Sequence, residues 1–68
     1  MTTTIEVYYD PDGQRDGQRG CWRARLKDRH GIHDAGATQD EAVSQLLLTA
    51  KTFGYSGERA DYEVEVLR

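Results

Sequence analysis

The sequence predicts an α+β fold of order β-β-β-α-β, with one helix packed on a four-stranded mixed sheet of expected order 3-2-1-4. Three observations carry this reading. Apolar residues alternate with polar ones in three separate stretches, the period of a half-buried strand. A single stretch opened by Thr38 has apolar residues at helical spacing. Clusters of Gly, Asp and Pro lie between these segments and supply turn chemistry.

In the first stretch Ile5, Val7 and Tyr9 alternate with Glu6 and Tyr8. Asp10-Pro11-Asp12-Gly13 is expected to end that strand, because Pro fixes φ and Gly accepts φ > 0. Asp12-Gly13-Gln14-Arg15 is then copied as Asp16-Gly17-Gln18-Arg19, which reads as a tolerated insertion at a hairpin tip. A second strand begins near Cys21, with Trp22, Ala24 and Leu26 on its core face and Arg23, Arg25 and Lys27 on the other. Asp28-Arg29-His30-Gly31 reads as a turn, and Ile32 to Ala35 as a short third strand.

The helix start is the sharpest local signal. Thr38 is a favoured N-cap, Glu41 three residues later completes a capping-box pattern, and Asp40 and Glu41 set negative charge at the positive end of the macrodipole. Val43, Leu46, Leu47, Ala50 and Phe53 share one face, Leu48 points away from it, and Gly54 is the natural residue after the C-cap. In the last strand Tyr62, Val64 and Val66 alternate with Asp61, Glu63 and Glu65. Three meandering strands followed by a crossover helix let strand four pair beside strand one. The helix is expected to cover Ile5, Val7, Trp22, Ala24, Leu26, Val64 and Val66, and the outward cations of strand two to lie beside Glu6.

Composition limits function. One domain of 68 residues has a small core, and a single cysteine excludes an internal disulfide, so self-association into a homodimer or higher homo-oligomer is the expected support. A net charge of −3 argues against general nucleic-acid affinity. No apolar run approaches the roughly 20 residues that span a bilayer, and no membrane partner is expected. Met1-Thr2-Thr3-Thr4 has neither a basic nor an apolar leader character, so a cytoplasmic protein with a reduced thiol is expected.

Several residues invite sharper readings. His30 and His33, with Asp28 and Asp34, have metal-ligand chemistry, but residues three apart on a strand face opposite ways, so two surface histidines is the plainer reading. Asp10, Asp12 and Asp16 suggest a calcium loop without its closing Glu. No metal and no cofactor is therefore expected. Six of the nine basic residues (Arg15, Arg19, Arg23, Arg25, Lys27 and Arg29) fall in one stretch. Tyr8, Arg23, Arg25 and Lys27 share an exposed face that would suit single-stranded nucleic acid by stacking and charge. A solvated face balanced by neighbouring acids is the preferred alternative. Cys21 falls on the side of Arg23 and Arg25 and reads as an ordinary strand thiol.

The pattern Trp22-x-Ala24-x-Leu26-x-Asp28-x-x-Gly31, then Gly36-x-Thr38-x-x-Glu41-Ala42, resembles the core pattern of HicB-like antitoxins over about residues 20–50. Lys27 and His30 stand where that family usually has prolines, and Ile32 where it often has cysteine. The resemblance implies a toxin-neutralising domain with a partial ribonuclease H-like fold, without the family's usual C-terminal DNA-binding segment. It implies a non-enzymatic module that masks the active site of a small, basic HicA-type ribonuclease. Ribonuclease H activity is not implied, because that chemistry needs acidic residues converging on two metals and Glu6 has no such cluster around it. The acidic edge Asp61, Glu63 and Glu65 would suit a basic partner, and Leu48 would contribute to self-association.

Overall fold

A computed structural model describes residues 3–15 and 17–67, with 14, 15 and 18 as backbone only. Its elements are β1 (Thr3–Arg15), β2 (Gln18–Leu26), β3 (Arg29–Gly36), α1 (Gln39–Thr52) and β4 (Tyr62–Val66), with one 3-10 turn, Arg59–Asp61, before the last strand. The sheet order is β3-β2-β1-β4. β1–β2 and β2–β3 are antiparallel, and β4 runs parallel to β1. This is the α+β architecture and strand order that the sequence predicts.

β1 does not end at Pro11. It runs on to Arg15, and the register slips between Asp10 and Gln14, so that Pro11, Asp12 and Gly13 bulge opposite Gly20. A bulge tolerates a proline because the ladder hydrogen bond is already broken there. The chain reverses instead after the Arg15↔Gln18 pair, at the second Asp-Gly copy, where Gly17 has φ 78°. Asp16 of that copy, and of the Asp10–Asp12–Asp16 trio, lies outside the described residues, as does the Arg15 side chain. The next hairpin is tighter than expected. Leu26 pairs with Arg29 across Lys27-Asp28, and β3 starts at Arg29 rather than Ile32.

The core is Ile5, Val7, Ala24 and Leu26 from the sheet, Ile32 from β3, and Ala42, Val43, Leu46 and Ala50 from α1. Trp22, Leu47, Tyr55 and Tyr62 pack around its margin. The helix covers β3 and β2 far more than β1. Gly36 makes that approach possible: a Cβ there would stand 2.5 Å from the Ala42 nitrogen and 2.8 Å from the Glu41 carbonyl carbon. Thr38 Oγ1 accepts the Glu41 N–H at 3.1 Å, which caps the helix as its sequence predicts. At the other end Gly54 N–H donates to the Lys51 carbonyl and Tyr55 N–H to the Ala50 carbonyl, a Schellman closure with Gly54 at φ 90°.

Two expectations about the core fail. Val64 and Val66 are 37% and 44% exposed, because β4 lies beyond the reach of the helix. Phe53 is exposed because it is the C-cap residue, where the chain leaves the helical path that would return its side chain to the sheet.

Two substitutions test this arrangement. Thr38→Ala should destabilise the fold by about 0.5–2 kcal/mol, since a helix N–H loses its acceptor. Gly36→Val should cost about 1–3 kcal/mol, since the new side chain meets helix backbone. Chemical denaturation measures both; an unchanged midpoint for Gly36→Val would mean that α1 does not sit against β3 as described.

Candidate interaction surface

The cross-strand register sorts the sheet into two faces. The face turned away from α1 carries Glu65, Glu6, Arg25 and His33 in one row, and Tyr8, Arg23 and Ala35 in the next. Both of these arginines are paired. Arg23 Nε donates to Asp10 Oδ2 at 2.6 Å, and Arg25 Nε donates to Glu6 Oε1 at 3.0 Å. Arg25 also lies over the Tyr8 ring, 5.1 Å from its centroid. His30 Nε2 approaches the same Glu6 oxygen at 3.2 Å, and Lys27 Nζ stands 3.8 Å from Glu65. Glu6 is thereby 9% exposed although it faces away from the core.

The structure thus brings together three of the four residues of the nucleic-acid reading. Tyr8, Arg23 and Arg25 adjoin, but each guanidinium is committed to a carboxylate or a ring. Lys27 falls in the β2–β3 hairpin turn rather than on the strand. His30 and His33 do not converge, and among the described residues no three His, Cys, Asp or Glu side chains are placed to hold a metal. Cys21 is on the expected face but buried, since the bulge folds Gly13 against its Sγ.

The four residues of the partner-binding reading are not one patch. Glu63 and Glu65 lie together on the face away from α1. Asp61 precedes β4 and belongs to the 3-10 turn, where Asp61 Oδ2 accepts the Glu58 N–H at 2.8 Å. Leu48 is exposed, but in the helix layer on the other side of the sheet.

Sequence reasoning missed a different feature. Val64, Val66 and Tyr9 lie on the helix-side face of the sheet but outside the helix's shadow, and Tyr9 is 51% exposed. Tyr9 makes an edge-on contact with Trp22, at 5.4 Å between ring centroids, and extends the core margin to the surface. An alternating strand reads the same whether its apolar face is covered or open. Only the width of the sheet against a single helix would have signalled it. β4 is therefore an edge strand, acidic on one face and apolar on the other. The chain matches no family model, no curated protein and no solved structure.

The Arg23 guanidinium, and then the Asp12 N–H, hold the Asp10 carboxyl below its ordinary value of 3.8. A carboxyl whose folded-state value is lowered stabilises the fold above its unfolded value, and that contribution is lost as pH falls through the folded-state value. Wild type and Asp10→Asn should therefore differ in Tm at neutral pH and converge as the pH drops below 3.8. A gap that persists unchanged into stronger acid would show that the bond to Arg23 is not its source.

Proposed function

We propose that this chain is a non-enzymatic protein-binding module, resembling a HicB-like antitoxin, that neutralises a small basic ribonuclease by masking its active site. The observation that carries the reading is the open strand β4, with Glu63 and Glu65 exposed along it. Opposite charge steers a basic partner to such an edge. The Trp22 to Ala42 pattern supplies the family resemblance, and in it Gly36 and Thr38 serve the helix junction. Among the described residues no helix is long and apolar enough to cross a membrane. We place the module in the cytoplasm, with Cys21 reduced, and as a homodimer that uses the exposed Leu48 face.

The direct test is to mix the purified chain with a purified HicA-type ribonuclease and follow RNA cleavage. Stoichiometric loss of cleavage, with a complex seen by light scattering, is expected. Cleavage that continues with no complex at micromolar concentration contradicts the reading. RNA alone should bind weakly, because Arg23 and Arg25 are engaged. Sub-micromolar affinity at about 150 mM salt, abolished by joint Arg23→Glu and Arg25→Glu, would favour a single-stranded nucleic-acid-binding protein instead.

The chain alone should scatter as a dimer, and Leu48→Lys should shift it toward monomer. A monomer at every concentration rules the dimer out. A dimer indifferent to Leu48→Lys moves the interface to a strand edge and leaves an oligomer whose role is not explained by the helix face.

A further inference from the structure

We propose that the free edge of β4 is a docking edge that captures an extended segment of a different protein, one in which apolar and basic residues alternate. This rests on the protein-binding reading above and specifies its mode.

The backbone supplies the first argument. Leu67 N–H donates to the Val7 carbonyl at 2.7 Å. Successive residues of a strand turn their N–H and C=O groups to opposite sides, so Glu63 and Glu65 face β1 as Leu67 does. The N–H and C=O groups of Val64 and Val66 therefore face outward from the sheet, where an added strand bonds. Neither a proline nor a bulge interrupts β4.

The side chains supply the second argument. On the helix side an added strand would lie beside Val64 and Val66, whose apolar surface is left partly uncovered, 37% and 44% exposed. On the other side it would lie beside Glu63 and Glu65; among the described residues Glu65 has a cation near it, Lys27 at 3.8 Å, and Glu63 has none. A segment that fits both must place apolar side chains on one face and cations on the other, at the period of two that strands impose.

The same charges argue against a second copy. Pairing of two β4 strands about a two-fold axis keeps like faces together, so Glu63 and Glu65 of one copy would oppose those of the other. Like charges directly opposite are destabilising. Pairing of β4 with the β3 edge of another copy is head-to-tail and does not close into a dimer. The acidic face thus works against self-pairing while it admits a basic strand.

The test uses the full isotopically labelled chain and three blocked synthetic peptides. One alternates lysine and valine, one alternates glutamate and valine, and one is the lysine peptide with a central proline. Amide exchange is read by NMR. The lysine peptide should slow exchange of the Val64 and Val66 amides by about tenfold or more near saturation. The glutamate and proline peptides should not, and joint Glu63→Lys and Glu65→Lys should reverse the preference between the two charges. The lysine effect should weaken with added salt. No slowing at Val64 and Val66 with the lysine peptide at ~1 mM overturns the proposal, as does equal binding of both charge types. Slowing that needs no peptide and grows with protein concentration also overturns it, by making a second copy the occupant. If a HicA-type ribonuclease is neutralised without protection of Val64 and Val66, the docking edge fails and the antitoxin reading stands. Protection by the peptide with no ribonuclease neutralised supports the edge and removes the antitoxin reading.

Discussion

One helix has to shelter a sheet wider than itself. Four strands at ~4.8 Å spacing span roughly 19 Å, while a helix with its side chains is about 10–12 Å across. Gly36 decides which part is sheltered. Without a side chain there, β3 meets the first turn of α1 at backbone distance, and the helix settles over β3 and β2. Every fully buried apolar residue of the sheet then comes from β1, β2 or β3. β4 is held by its parallel ladder to β1 and by the Arg59–Asp40 bond that ties its approach to the helix start. Full burial of a valine or leucine is worth about 1.5–3 kcal/mol, and Val64 and Val66 forgo part of it. The open apolar margin follows from this geometry.

The other face of the sheet has no helix and is ordered by charge. Asp10–Arg23, Glu6–Arg25 and Glu65–Lys27 step across the β1 neighbours. The exposed Lys27–Glu65 pair contributes roughly 0–1 kcal/mol, while the Asp10–Arg23 and Glu6–Arg25 pairs are part-buried; for binding, what the pairs leave over matters most. The arginines are neutralised where a basic stripe would otherwise stand. Glu63, near the start of β4 on the same face, has no cation beside it among the described residues. On the proposed reading, this favours the edge of β4 over the centre of the sheet as the place where a basic partner docks.

The strand order and the cap were legible because each rests on a local rule with little competition. Alternation at Ile5–Tyr9, Trp22–Leu26 and Tyr62–Val66 set the strands, and Thr38 with Glu41 set the helix start. The cross-strand meeting of Glu6 with Arg25 followed from the topology. The failures have a different origin. Pro11-Asp12-Gly13 carries the residues of a turn, yet a bulge uses the same chemistry, and the chain reverses between Arg15 and Gln18 instead. Cys21 is buried by that bulge, which no pattern in β2 foretells. Asp61 keeps the alternation of a strand residue, but its carboxylate closes the preceding turn. Whether Val64 and Val66 are covered depends on where the helix lies, a tertiary fact that strand periodicity does not contain.

The claim that β4 is an open edge beside a half-covered sheet is tested most directly by amide exchange in the chain alone, measured at low concentration. Glu65 and Leu67, bonded inward to β1, should exchange slowly, while Val64 and Val66 exchange close to the rate of unstructured amides. Slow, concentration-independent exchange at Val64 and Val66 would show that the chain itself covers this edge, and would contradict the account.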